Sequence, residues 1–348
     1  MLTEYITAVQ EGRELTRPEV ARVVSLLADA AQPVEDKASF LACLAAKGET
    51  TAEIAAFAEE LRGLSIRLPW DASEAAGEVL DVCGTGGDRL DTFNISTTVA
   101  LVCAAAGVTV AKHGNRAVTS KSGSADVLEA LGIPVDLAPD EAARSLREHR
   151  FVFLFAPRFH PAFRNIAPAR ALCAQRGQRT LFNFLGPLLN PARPTAQLVG
   201  VPRPALVEPM ARTLQQLGVR RAMVVSGSVP GGGYLDELST LGDNAVAEFY
   251  QDRGFSTSTW SARPFPLLPA TLEDLKGGDS RDNAVLLAGL LRGDDAGPRR
   301  DAVLLNAGAA LFVAGVARSI MEGWERAADV LASGAAWRLV ESLRTRRP

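Results

Sequence analysis

The apolar run Val79-Leu80-Asp81-Val82 ends at three glycines within four positions, Gly84-Thr85-Gly86-Gly87, and Asp88 follows. A turn rich in hydroxyl and amide groups comes next, Thr92-Phe93-Asn94-Ile95-Ser96-Thr97, and opens a helical run of apolar and small residues from Val99 to Ala106. Glycine lets a backbone approach an anion closely, and the free N–H groups of a helix start supply donors and the positive end of a dipole. That is the chemistry of a phosphate cradle. The spacing matches neither the Walker loop nor the dinucleotide fingerprint. Taken alone, such a turn is an ordinary strand-to-helix connection. A second polar turn changes the weighing: Lys112-His113-Gly114-Asn115-Arg116 and Ser120-Lys121-Ser122-Gly123-Ser124-Ala125-Asp126 follow the next apolar run, Val108–Ala111. Two such loops after consecutive strands point to a ligand site at the carboxyl ends of an open α/β sheet.

Two further groups could do chemistry. Arg158-Phe159-His160-Pro161 and Pro168-Ala169-Arg170 follow the apolar run Phe151–Ala156, and Asn183-Phe184-Leu185-Gly186-Pro187-Leu188-Leu189-Asn190-Pro191 comes after them. An arginine offers a planar fork of donors suited to a carboxylate and stays charged at any working pH. On an amphipathic helix, however, it is ordinarily a solvated surface residue. A His-Pro step is more often structural, so His160 reads as a positioning residue ahead of an acid or base. The other group is Asp236-Glu237, preceded by Gly231-Gly232-Gly233 after the run Ala222–Ser226. Adjacent carboxylates in a loop are commonly idle in solvent. As hard oxygen donors they also suit Mg²⁺, which takes one or two carboxylates plus substrate phosphates.

In this order the blocks Gly84–Asp88, Asn94–Thr97, Lys112–Arg116 and Ser120–Asp126, with the later ones, resemble the anthranilate phosphoribosyltransferase family, which serves tryptophan biosynthesis. The resemblance spans nearly the whole chain. It implies transfer of phosphoribose from 5-phosphoribosyl 1-diphosphate to the amine of anthranilate. It also implies roles for particular residues. Gly84, Gly87, Asp88, Thr92, Asn94, Ile95, Ser96, Thr97, Lys112, Asn115, Ser120 and Ser124 would meet phosphoribosyl diphosphate. Gly84, Asn115, Arg170, His160 and Gly186 would meet anthranilate, and Ser96, Asp236 and Glu237 would hold Mg²⁺. No residue is expected to act as a nucleophile or proton-transfer catalyst, so acceleration would be electrostatic and positional. Three departures stand out. Arg89 replaces the glycine usual after Asp88, Leu189 replaces a more common threonine, and the stretch Ala171–Gln178 is longer than the family's spacing.

The elements that must position these groups follow from periodicity. Residues 1–68 carry only helical signals, with Thr16-Arg17-Pro18-Glu19 and Thr50-Thr51-Ala52-Glu53 as helix starts. Gly63–Gly77 is the boundary candidate. Beyond it, apolar runs alternate with helical patterns, and four helical stretches close the chain. That alternation argues a mainly parallel sheet flanked by helices. The expected fold is therefore α/β: a small helical domain at 1–68, joined by helices from about 160–190, plus a large α/β domain at 77–348. By resemblance it is of the nucleoside phosphorylase and phosphoribosyltransferase kind, and a homodimer is expected through the helical domain.

With 348 residues, 47% of them apolar, the chain has ample material for a large core. A net charge of −3 argues against broad nucleic-acid or membrane binding. The four scattered cysteines have no metal spacing and suit a reducing cytoplasm. Two other readings compete. A pyrimidine-nucleoside-phosphorylase-like enzyme would share the basic loop but would not need Asp236-Glu237. A non-catalytic nucleic-acid- or partner-binding paralogue should have lost the glycines or carboxylates.

Overall fold

The structure, a computed structural model, describes residues 1–117, 121–250 and 254–344. Four helices come first: α1 (Leu2–Gln10), α2 (Arg17–Ala28), α3 (Val34–Lys47) and α4 (Thr51–Gly63). The expected start of α4 is a reciprocal cap, with Glu53 N donating to Thr50 Oγ1 at 3.2 Å and Thr50 N to Glu53 Oε2 at 2.9 Å. The same carboxylate accepts from Lys47 Nζ at 2.7 Å and Leu15 N at 3.0 Å, so one buried group ties three segments of the bundle.

Strand β1 (Val79–Gly84) begins the sheet, and α5 (Ile95–Ala105), β2 (Thr109–Gly114), α6 (Ser124–Ala130), α7 (Pro139–His149) and β3 (Phe151–Phe155) follow as two crossovers. The chain then leaves the sheet through α8 (Ala156–Phe159), short 3₁₀ turns and α9 (Ala167–Gln175). This excursion docks on the bundle: Lys37 Nζ donates to Asn165 O at 2.9 Å, and Arg176 pairs with Glu35 at 2.9 Å. The sheet resumes with β4 (Ala196–Gly200), α10 (Val207–Gln216) and β5 (Arg221–Ser228). Strands β6 (Tyr234–Leu235), β7 (Asp243–Tyr250) and β8 (Ser256–Ser261) precede helices α11 (Ser280–Arg292), α12 (Pro298–Val313), α13 (Ile320–Ala332) and α14 (Ala335–Leu343).

The strand order is β3-β2-β1-β4-β5-β7-β8, with β6 paired to β5. The first five positions of that order are parallel, and β6, β7 and β8 pair antiparallel. The mainly parallel sheet of the sequence reading is therefore present, with an antiparallel margin that periodicity did not announce. Side chains alternate across the sheet as a doubly covered strand requires. Leu80, Val82, Val110, Phe153, Leu198 and Val225 face α5 and the closing helices. Cys83, Val199 and Val224 face α10 and the N-terminal bundle.

The order places β1 at a reversal. Chain leaving β1 runs outward through β2 and β3, then returns on the other side as β4. A crevice opens beyond the carboxyl ends of the two strands where connections part in this way.

Candidate active site

At that crevice Gly84 of β1 lies in register with Gly200 of β4, and Thr85 N donates to Gly200 O at 3.0 Å. Asp236 sits directly on the pair. A Cβ built on Gly200 would lie 1.5 Å from the Asp236 carbonyl oxygen, and one on Gly84 would lie 2.5 Å from Asp236 Oδ2. Only glycine permits this approach at both strands. Gly86 N then donates to Asp236 Oδ2 at 2.5 Å, and Ser96 N, at the start of α5, donates to Glu237 Oε1 at 3.1 Å. The glycine loop and helix start thus do bind an acid group: the protein's own carboxylates, delivered from the β6 end.

Lys112, on β2 and 1% exposed, points into the same space. Its Nζ donates to Val82 O at 2.5 Å and Ser96 Oγ at 3.2 Å, leaving one of its three N–H groups for a ligand. Asp88, Asp236 and Glu237 converge here against this one cation. Burial raises the pKa of all three carboxyls; the neighbouring Asp88 charge adds to it at Asp236, and the Asp236 charge adds to it at Glu237. Lys112 opposes the rise at Glu237. Such a cluster is short of positive charge.

The donor set suits a hard cation. The Asp88 and Asp236 carboxyls face each other closely enough to share a hydrogen bond, and Thr85 Oγ1 is buried without a hydrogen-bond partner among the described residues. No group of three or more His, Cys, Asp or Glu side chains among the described residues has the arrangement to hold a metal by itself.

The second loop forms the opposite wall. Thr97 Oγ1 donates to Ser124 Oγ at 3.0 Å, and Asn115 is exposed at the rim. The Asn94 side chain is bonded to protein at both ends. Its Nδ2 donates to Ser122 O at 3.2 Å and its Oδ1 accepts from Asn283 Nδ2 at 2.9 Å. The Ile95 side chain is buried in the core, which leaves only its backbone near the loop. Gly87 has Pro202 3.1 Å from where a Cβ would stand, and Thr92 bridges to Lys276. Ser120 lies outside the described residues. Arg89 is exposed, and its φ of +58° explains why glycine suits that position. Its guanidinium makes no hydrogen bond or ion pair among the described residues.

The excursion between β3 and β4 builds a different environment. Arg170 on α9 is half-buried, with its guanidinium carbon 5.2 Å from the Phe182 ring centre, and burial lowers its pKa. It has no anionic partner among the described residues. Phe182 packs edge-on against Phe163, which stacks on His160 at 5.2 Å, and His160 meets His113 edge-on at 5.1 Å. Burial lowers the imidazole pKa to about 4 at His160 and, with repulsion from His160, to about 3 at His113. Both are neutral at physiological pH. Each keeps a buried Nε2 without a partner, while Gly186 O lies 3.2 Å from His113 Nδ1. Leu189 is buried in the core beneath this pocket, which accounts for an apolar residue there.

Sequence reasoning passed over Asp81, His113, Asn190 and Asn283 as site residues. Asp81 is fully buried on β1, and burial raises its pKa to about 6 against the pull of Lys112. It accepts from Asn190 Nδ2 at 2.9 Å and His113 N at 3.3 Å. The available signal was a carboxylate within an apolar strand, since such a group needs partners.

The chain is similar over nearly its whole length to known proteins. Residues 76–337 match the model of the glycosyl transferase family a/b domain, and residues 3–65 match that of its helical bundle domain. An anthranilate phosphoribosyltransferase of Persephonella marina is 42% identical over 346 residues, 99% of this chain and 98% of that protein. The crystal structure of anthranilate phosphoribosyltransferase from Thermus thermophilus superposes with a TM-score of 0.87 at 41% identity, covering 98% of this chain and 99% of that one. The Saccharomyces cerevisiae enzyme in complex with PRPP and Mg gives a TM-score of 0.85 at 26% identity, covering 99% and 96%. With its carboxylates, glycine loop and lysine gathered at one sheet reversal, this chain belongs to the anthranilate phosphoribosyltransferase family.

Proposed function

We propose that this chain transfers phosphoribose from 5-phosphoribosyl 1-diphosphate to the amine of anthranilate and releases diphosphate. The observation that carries the proposal is the convergence of Asp88, Asp236 and Glu237 with a single lysine on the glycine loop. That arrangement calls for a divalent cation and a polyphosphate together.

Mg²⁺, when bound, neutralises charge on the departing diphosphate. Asp236 and Glu237, with Ser96, are the residues proposed to hold it. The loop Gly84–Asp88, apart from the Thr85 and Gly86 N–H groups already bonded to Gly200 and Asp236, is proposed to hold diphosphate and ribose with the Thr92–Thr97 turn, Lys112 and, across the cleft, Ser124, and Ser120 joins them by the family resemblance. Asn94 enters as a support of that wall. Arg170 would take the anthranilate carboxylate in a charge-assisted bond. His160, His113, Gly186, Asn115 and Gly84 would line the ring and amine. In the reaction the ribose C1–oxygen bond breaks, a C1–nitrogen bond forms, and the amine gives a proton to solvent. An aromatic amine is already neutral, so no strong base is needed, which suits imidazoles held neutral. Placing the amine on C1 would supply much of the rate.

The helical unit, residues 1–68 with the docked excursion of about 160–190, is proposed as the smaller domain and the dimer surface, and 77–348 as the larger. No helix among the described residues is long and apolar enough to cross a membrane. Cytoplasmic residence is proposed from the four unpaired thiols. A fluorescence assay of anthranilate loss with phosphoribosyl diphosphate, with and without Mg²⁺, tests the proposal. Metal-dependent loss is expected, and untouched anthranilate would refute the acceptor.

A further inference from the structure

Between β8 and α11 the chain returns to the donor loop along a path that the reaction chemistry does not require. Phe93 N donates to Leu275 O at 3.0 Å, Gly277 N donates to Asp91 O at 2.9 Å, and Thr92 bridges antiparallel to Lys276. A Cβ on Gly277 would come within 2.9 Å of Phe93 Cα. This short strap lies against residues 91–93. Asp91 has a φ of +54°, a conformation that persists only where surroundings over-determine it. The strap ends at Asn283, 2% exposed on α11. Its Oδ1 accepts from Gly278 N at 2.9 Å, while its Nδ2 donates to Asn94 Oδ1 at 2.9 Å. Asn94 Nδ2 passes the connection to Ser122 O at 3.2 Å, and Lys121 lies 3.7 Å from Asp91 on the same side. One buried amide thereby connects α11, the turn before α5 and the loop before α6.

We propose that Asn283 is a positioning residue for the phosphoribosyl diphosphate site, rigidly spacing the two phosphate loops through Asn94. The inference rests on the donor reading above. A buried side-chain amide bonded to protein at both ends orients its partners. Losing it lets residues 121–124 drift from the first loop, which weakens the donor that spans them and leaves Arg170 and His160 of the acceptor pocket in place.

The test uses the full-length protein with Asn283→Ala and Asn283→Asp. The aspartate keeps the acceptor for Gly278 N and removes the donor to Asn94, so it isolates the link if the alanine variant fails to fold. The expected result in Asn283→Asp is a KM for phosphoribosyl diphosphate raised about tenfold, the effect of about one hydrogen bond, with the anthranilate KM within about twofold. Hydrogen exchange in the substrate-free protein should accelerate at amides 121–124. Equal rises in both KM values, or unchanged exchange at 121–124, would overturn the proposal. Failure of the wild-type protein to consume phosphoribosyl diphosphate would instead overturn the donor reading, and the exchange data would still judge the link.

Discussion

The two halves of the cleft are electrically incomplete in opposite senses. The half at the ends of β1, β2 and β4 gathers three carboxyls around one lysine and lacks positive charge. The half made by the β3–β4 excursion, closed by His113 of β2, offers the half-buried Arg170, which has no anionic partner among the described residues, set among aromatic rings and neutral imidazoles. The first is built from backbone N–H groups and strand ends, which are rigid. The second is built from short helices docked on the bundle through Lys37 and Glu35. On the proposed reading, a metal polyphosphate completes the first half and an aromatic acid the second. Each half therefore has its own way to fail.

The sharpest break comes from the charge-poor side. Asp236→Asn with Glu237→Gln should lower kcat by roughly 10²–10³, because fixed electrostatic stabilisation of the leaving group is removed. Turnover measured across Mg²⁺ concentrations checks this, and near-normal rates would refute the metal assignment. On the other side, Arg170→Ala should raise the anthranilate KM roughly 10²-fold by removing a charge-assisted bond, while leaving the KM for phosphoribosyl diphosphate nearly unchanged. Parallel rises in both would erase the distinction between the halves.

Proton linkage separates the halves by sign. Folded pKa values of Asp236 and Glu237 lie above their unfolded values, so in the metal-free protein they favour the fold at low pH and cost stability as pH rises through those raised values. His160 and His113 are depressed from 6.5 to about 4 and about 3. Their contribution is fully present above pH 6.5 and is lost as pH falls through the folded values. Between pH 7.5 and 4.5, His160→Gln should therefore lose about 2 kcal/mol less unfolding free energy than wild type, as read by denaturant titration. Equal losses would place His160 in water. The smallest effect is expected at Arg89→Gly, which relieves a left-handed non-glycine residue and should stabilise the fold by about 1 kcal/mol. A rise in melting temperature checks it, and a fall would show that the arginine holds the loop.

Sequence made the framework and the charged half legible for a physical reason. Periodicity marks strands and helices, as at Phe151–Phe155 and Ala335–Leu343, and glycines with carboxylates at strand ends are rare enough to be noticed. The antiparallel strand β8 gave no such signal, since Ser256–Ser261 is a mostly exposed, hydroxyl-rich edge. Asn283, Asn190 and Asp81 were illegible for another reason. Each has a partner more than thirty residues away, and spacing along the chain carries no trace of that. Asn94 was legible as a polar residue of the turn, while its bonds to Ser122 and Asn283 were not.

The close stacking of Gly84, Gly200 and Asp236 has a consequence for how the molecule comes into being. Strand β1 leaves the ribosome early, yet the seat for its glycine loop is made by residues synthesised long afterwards. Until β4 and the β6 turn arrive, the loop has neither its neighbour nor the carboxylate that its N–H groups grip. Ligand binding therefore emerges late in synthesis and all at once, and chains truncated before Asp236 should have no weak version of it.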